Sequence, residues 1–390
     1  MTYRLTDEHL ELRAVVRELA EERIAPRAAE IDAKAEFPWD LKELLAKQDL
    51  LGTCFPAAFG GTELDGIGQA IVVEEIARAD ATTSLIPIVQ KLASLPILLS
   101  GNEEQKARYL PRLASGEWLI AFGLSEASAG SDVAAMRTRA RRDGDDYVLS
   151  GSKRFITHGS IANVVIIFAL TDPAAGGRNG SSAFIVETDT PGFSAPRLEH
   201  KMGIRGSPTA ELNLDEVRVP VANRLGEEGH GFRIAMATLD RSRVSIAAQA
   251  VGIAQGATDF ALGYAAQRDQ FGKPVAELQG IQFMLADMAS QTEAARQLTY
   301  AAAAAVDAEA PDLGYLTSSA KLVAGDTAMR VTTDAVQVLG GYGFISEYPV
   351  ERMMRDAKIT QLYEGTQQIQ RLVIARQLLQ RAGVRRSAAR

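Results

Sequence analysis

The spacing of apolar positions divides the chain into three stretches. Up to about residue 120 they recur every three or four residues. Leu10, Ala14 and Leu19 fall near helical spacing behind Thr6 or Asp7, either of which can cap the helix. The segment Ile71–Arg78 fits another helix, and the glycine-rich PAAFGGTELDGIG before it reads as a loop. Between about 121 and 228 the period drops to two. TRARRDGDDYVLSG alternates across Asp143-Gly144, a hairpin signal. VVIIFAL and SAFIVE are short β-branched runs, and AELNLDEVRVP alternates again. Strands without long helices between them predict a small antiparallel barrel or sandwich, not a doubly wound parallel sheet. From about 229 the helical period returns. An alanine-rich pattern runs from Gly231 to Asp269 and breaks at FGKP, and further helices are predicted near 279–308, 315–338 and 366–380. Such faces suit a bundle. The expected fold is α+β: an N-terminal helical domain (1–120), a middle antiparallel β-barrel domain (121–228) and a C-terminal four-helix bundle (229–390). The basic tail RAGVRRSAAR is expected to fray.

Composition narrows the chemistry. With 390 residues, 46 % of them apolar, the chain can build a large core without a staple. Its one cysteine, Cys54, excludes an internal disulfide and a multi-cysteine metal site, and reads as a packed small residue. The net charge of −7 argues against a general nucleic-acid surface. No uninterrupted run of 18 apolar residues predicts a membrane span, and the acidic, amphipathic N-terminus resembles neither a secretory nor a transit signal. The expected location is therefore cytoplasmic. The four histidines, His9, His158, His200 and His230, lack metal-ligand spacing and read as surface or loop residues. There is no nucleophile elbow, no P-loop, and no G-x-G-x-x-G joining a strand to a helix. A nucleotide-containing cofactor would have to bind outside a Rossmann fold.

Four segments remain. Phe122–Asp132 (FGLSEASAGSD) runs from a strand end into small residues, where backbone N–H groups and hydroxyls can approach a ring or phosphate. A plain connecting loop is the alternative. KRFITHG (153–159) sets Phe155 and Thr157 on one face if the chain is extended, as would any strand with an outward Thr. LDRSR (239–243) places Asp240 and Arg243 one helical turn apart, and Arg268 opens RDQFGKP beside a helix end. Arginine suits a pyrophosphate, and equally a solvated ion pair. Last come QVLGGYGF (337–344) and YEGTQQ (363–368). Glu364 precedes a helix that Thr366 can cap, so a carboxylate and its own amide can face one space, unless Glu364 is simply a capping acid.

Together and in this order the segments resemble the acyl-CoA dehydrogenase family. SEASAGSD, KRFITHG, RDQFGKP, LGGYGF, EYPVERMMRDAK and YEGTQQIQR match it in order and spacing, and HKMGIRGSPTAEL is most similar to the short-chain, butyryl-type branch. The resemblance implies one FAD per subunit and a homotetramer built as a dimer of dimers. It implies that Phe122, Leu124, Ser125, Gly130, Ser131, Phe155, Ile156 and Thr157 hold the flavin and its phosphates. Arg268, Phe271, Gln279, Gln337, Val338, Gly340 and Gly341 would reach the FAD of a neighbouring subunit, and Thr366 and Gln368 would also hold FAD. Ser131, Leu239, Asp240, Arg243, Tyr363 and Gly365 would contact the acyl-CoA, and Glu364 would be the base. No metal is implied.

The reaction implied is removal of the α-proton by Glu364 and of a β-hydride by flavin, giving a trans-2-enoyl-CoA, with electrons passed to an electron-transferring flavoprotein. The acyl pocket is expected near Gln90–Leu99, Leu239 and Tyr363, and the substrate is expected to be short. Phe155, His158 and Ser128 depart from the usual Trp, Asn and Gly. Alternatives are an acyl-CoA oxidase on the same fold, which the short C-terminal end disfavours, a dehydrogenase for branched or unusual acyl groups, and a non-catalytic flavin or acyl-CoA binder serving as a partner subunit.

Overall fold

The computed structural model describes residues 3–384. Most of the tail expected to fray, residues 385–390, lies outside the described residues. Six helices come first: α1 (Asp7–Leu19), α2 (Ala28–Lys34), α3 (Trp39–Lys47), α4 (Gly66–Ala79), α5 (Ala81–Ser100) and α6 (Glu103–Ala114). Local chemistry sets their starts. Thr6 and His9 form a capping box on α1, and Asp65 and Asp80 cap α4 and α5 through their carboxylates. By length and composition α5 could cross a membrane. Here its apolar surface is spent inside the protein, against α4, α8 and β1.

The middle strands are β1 (Ile120–Gly123), β2 (Arg139–Asp143), β3 (Asp146–Thr157), β4 (Val164–Leu170), β5 (Ser181–Glu187), β6 (Phe193–Leu198), β7 (Thr209–Pro220) and β8 (Arg224–Leu225), with one short turn of helix, α7 (Gly176–Gly180). The sheet order is β6-β7-β3-β2-β4-β5-β8, with β1 beside β4. It is not wholly antiparallel, because β4 runs parallel to both β1 and β2. β4 is buried along its whole length. Val165, Ile167 and Ala169 face a core shared with β3, β5 and β7, so the sheet curls around its own interior. Val164, Ile166, Phe168 and Leu170 face α5, α6 and the start of α8. Burial on both faces explains why β4 reads as a continuous apolar run.

The bundle comprises α8 (Gly231–Gln267), α9 (Gln279–Asp307), α10 (Leu313–Leu339) and α12 (Gln367–Arg381), with α11 (Val350–Ala357) beside them. A short ribbon of β9 (Asp269–Gln270) and β10 (Lys273–Pro274) joins α8 to α9. The largest core spans α4, α5, α8, α9 and α10. Gly252 and Gly256 let α8 cross α4 closely, since an added Cβ at either would lie 2.3 Å from a carbonyl oxygen of Glu74 or Arg78.

Candidate active site

Glu364 stands in a tight turn between α11 and α12. Its φ is +50° and that of Gly365 is +90°. A Cβ at Gly365 would also meet Gln370 Nε2 at 2.8 Å, so this position needs glycine. A left-handed glutamate persists only where its surroundings over-determine it. Here the carbonyls are clamped. Gln370 Nε2 donates to the Glu364 carbonyl (3.1 Å) and the Gly365 carbonyl (2.8 Å), and Lys321 Nζ donates to the Gly365 carbonyl (2.8 Å). Thr366 is the N-cap of α12, accepting from the Ile369 N–H, so Glu364 is not the capping acid. Among the described residues the Glu364 N–H has no acceptor.

The carboxyl oxygens of Glu364 differ. Oε2 accepts from Ser242 Oγ on α8, while Oε1 is sealed from solvent without a partner. Burial raises the pKa of this carboxyl above the ordinary carboxylate range, against the opposing pull of Ser242, Arg243, Lys321 and Lys91. Arg243 is itself buried and pairs with Asp240. The neighbouring Tyr363 hydroxyl donates to Gln249 Oε1, and Gln249 Nε2 donates to the Ala81 carbonyl (3.1 Å) and Ser84 Oγ (3.0 Å).

The loop after β1 packs on the same stretch of α8. Phe122, Leu124 and Leu239 belong to one core, and Leu239 is within a turn of Ser242. A buried ion pair pins the loop. Lys153 Nζ lies 2.8 Å from Glu126 Oε1, which also accepts from the Thr138 N–H, while Oε2 accepts from the Arg137 N–H. The Ser125 carbonyl accepts from the Arg154 N–H at 2.9 Å. Gly130 and Ser131 are exposed.

Beyond the pin, β3 is not simply extended. Its register shifts between Lys153 and Ile156, and Phe155 sits at φ +60°. The alternation expected between Phe155 and Thr157 is therefore broken by a bulge. Phe155 stands 62 % exposed, and the Thr157 hydroxyl bonds to no other described residue. The side chains of Ile156, Leu124 and Val338 are buried in cores, so only their main chains are open to a ligand.

Arg268, Phe271, Gln279, Gln337, Gly340 and Gly341 gather elsewhere, at the end of the bundle where α8 and α10 finish and α9 starts. Arg268 lies over the Tyr342 ring, and Phe271 is 89 % exposed on the ribbon. The structure does not bring this group to Thr157. Gln368, in the first turn of α12, is exposed.

Other expectations need correction. His9 and His158 are buried, not surface residues. His9 bonds Asp65, and His158, wedged against Phe37, has its pKa pushed down to about 3 by burial and Lys201. Gln90 itself is buried, its amide donating to the Leu113 and Trp118 carbonyls, whereas Lys91 and Leu95 of the same stretch line a cavity with Arg241 and Val244. Sequence reasoning missed Gln249, Lys321, Gln370, the Lys153–Glu126 pair and the pairing of Ser242 with Glu364. Ser242 lay inside the quoted LDRSR, but nothing there told which residue faces Glu364.

Matches to known families follow this layout. Residues 6–117, 121–217 and 229–379 match the N-terminal, middle and C-terminal domains of acyl-CoA dehydrogenase. The chain belongs to the acyl-CoA dehydrogenase family. It is 51 % identical to a probable acyl-CoA dehydrogenase of Mycobacterium leprae over 377 residues, 97 % of each chain. It is 50 % identical to a cyclohex-1-ene-1-carbonyl-CoA dehydrogenase of Geobacter metallireducens, covering 96 % of this chain and 99 % of the relative. The solved butyryl-CoA dehydrogenase of Megasphaera elsdenii superposes with a TM-score of 0.94 at 44 % identity, over 97 % of this chain and all of that one.

The chain is thus an oxidoreductase of this family, and its cofactor is FAD. The residues fit such a group. An aromatic is held outward at Phe155, the Thr157 hydroxyl has no partner among the described residues, and a Cβ added at Gly130, Gly340 or Gly341 would meet nothing within 4 Å. These positions leave open backbone for a ring and for phosphates.

Proposed function

We propose that the chain dehydrogenates a short acyl-CoA between Cα and Cβ, with Glu364 as the base. The observation that carries this is the Glu364 turn. One carboxylate oxygen is held by Ser242, the other is enclosed and unpartnered, and the residue's own N–H is free for an acceptor. The free N–H would polarise the thioester carbonyl, stabilising negative charge as the α-proton leaves. The carboxylate takes that proton, and its raised pKa makes it a stronger base than a surface glutamate. Bound FAD supplies the acceptor for the β-hydride at flavin N5, so the product is a trans-2-enoyl-CoA.

Asp240, Arg243, Ser131 and Gly365 would contact the acyl-CoA. Phe155, Thr157 and the Phe122–Ser131 loop would hold the flavin, with Thr366 and Gln368. The short-chain reading rests on the likeness to butyryl-CoA dehydrogenase. Electrons would leave to an electron-transferring flavoprotein in the cytoplasm. Phe271, Phe283 and Phe344, all exposed, support a homotetramer in which Arg268, Gln279 and Gln337–Gly341 reach a neighbour's FAD.

The test is anaerobic mixing of the purified holoenzyme with butyryl-CoA and with longer and branched acyl-CoAs, following flavin bleaching. Wild type should bleach, fastest with short chains, and Glu364→Gln should be slower by at least about a hundredfold. Bleaching by the variant at the wild-type rate would remove Glu364 from the chemistry. Faster bleaching with long chains would overturn the substrate length.

A further inference from the structure

Lys321 lies near the middle of α10 and is wholly buried. Its ammonium donates to the Gly365 carbonyl (2.8 Å) and to Gln367 Oε1 (3.2 Å). Among the described residues it has no carboxylate within ion-pair distance, so a buried cation rests on a main-chain oxygen and an amide. That is a costly arrangement with no evident packing return. Gln367 is locked in turn, its Nε2 donating to the Leu322 carbonyl and Asp326 Oδ1. Gln370 reaches the same Gly365 carbonyl from α12. In a trans peptide the carbonyl and the following N–H point opposite ways. Holding the Glu364 and Gly365 carbonyls on one side fixes both peptide planes, and with them the left-handed turn that presents the base.

We propose that Lys321 is the positioning residue of the base turn, clamping the Gly365 carbonyl and, when protonated, placing a positive charge near the Glu364 carboxylate. This rests on Glu364 being the base. The charged and polar groups around that carboxyl are Ser242 and Arg243 on α8, Lys91 on α5, Lys321 on α10 and Tyr363 in the turn itself. Three of them are cations that favour the carboxylate, and only Lys321 also holds the turn. Burial lowers the pKa of Lys321 to about 7, against the pull of Glu364. Its charge and the base's are thus linked.

The experiment compares wild type, Lys321→Met, Lys321→Arg, Gln370→Met and Glu364→Gln as FAD-loaded enzymes. It measures the rate of flavin reduction by butyryl-CoA against pH, with KM and flavin content. Lys321→Met should lower the maximal rate by about 10- to 100-fold, the scale of a small misplacement of a reacting group. KM should change by less than about threefold, since substrate contacts remain. Its acid limb should move to higher pH, because removing a cation makes the base harder to ionise. Lys321→Arg should bring the limb back, and Gln370→Met should slow reduction without moving it. If Lys321→Met does not fold with flavin, Lys321→Gln, which keeps a donor but not the charge, is read for the same shift. An unshifted limb in Lys321→Met or its Lys321→Gln replacement, with flavin retained and a rate within threefold of wild type, overturns the inference. In that case an inactive Glu364→Gln leaves the base reading intact, whereas an active one defeats that reading separately.

Discussion

At the scale of single residues, the site spends backbone strain where chemistry needs reach. Glu364, Phe155 and His158 are all left-handed non-glycine residues. Each costs about 1–2 kcal/mol relative to ordinary backbone. For Phe155 the return is an aromatic held outward beside Thr157. Phe155→Gly should therefore raise the stability of the flavin-free protein by about 1 kcal/mol in chemical denaturation while weakening FAD retention. A loss of stability with unchanged retention would show that the ring packs and does not bind. These positions also mark where sequence reasoning stopped. Glu364 was legible because an acid, a glycine and a capping threonine stand together. Its partner Ser242 is 122 residues away inside a helix, and Lys321 is 44 residues from Gly365. Nothing local distinguishes either from any other helix residue. The bulge at Phe155 was equally hidden, because period-two alternation presumes an unbroken ladder.

Among elements, the long ones were readable and the short ones were not. α9 and α10 lie within two residues of their expected spans, since many turns of one apolar stripe average out local noise. α11 was missed. It has eight residues, and Glu351, Arg352, Arg355 and Asp356 among them. Its charges are used for docking. Arg355 binds Asp32 and Glu351, and Asp356 accepts from the Ile204 N–H, tying the bundle to the loop before β7. Asp356 is buried, and burial together with the nearby Asp80 pushes its pKa up to about 7. The folded chain then holds a proton that the unfolded chain gives up near pH 4. Stability contributed by this group is present at low pH and is lost as pH rises towards 7. Asp356→Asn keeps an acceptor for Ile204 and should flatten that dependence, gaining on the order of 2 kcal/mol at pH 8 relative to pH 4, as read from urea unfolding midpoints. An unchanged slope would place the proton elsewhere.

For the whole molecule, the two groups of residues proposed to hold the cofactor stand on different elements. Thr157 and Phe155 lie on the sheet, and Arg268, Gln279 and Gln337 lie at the bundle end. One chain would unite them only across an interface, which the exposed Phe271 and Phe344 can supply. If the proposed tetramer forms, Phe271→Asp should lower the mass in light scattering to that of a dimer or monomer, and FAD content should fall with it. An unchanged mass with full flavin would dissociate the ribbon from both roles. That division of labour was suggested by the family resemblance and not by residue patterns, because a surface phenylalanine carries no mark of what covers it.

The sharing of one core by α4, α5 and the bundle also governs how the chain is made. Ile67–Val89 pack against Val244–Val338, which leave the ribosome more than 150 residues later. The sheet's interior draws only on residues 121–221, so it can close first. During synthesis only the faces of α4 and α5 that meet the bundle must wait bare, since Ala93 and Ile97 can already pack on the sheet and Val72, Ile76 and Ile86 on the first helices. A nascent chain whose sheet closes first would still expose that bundle-facing strip until α8–α10 are made, which would suit it to a holding chaperone.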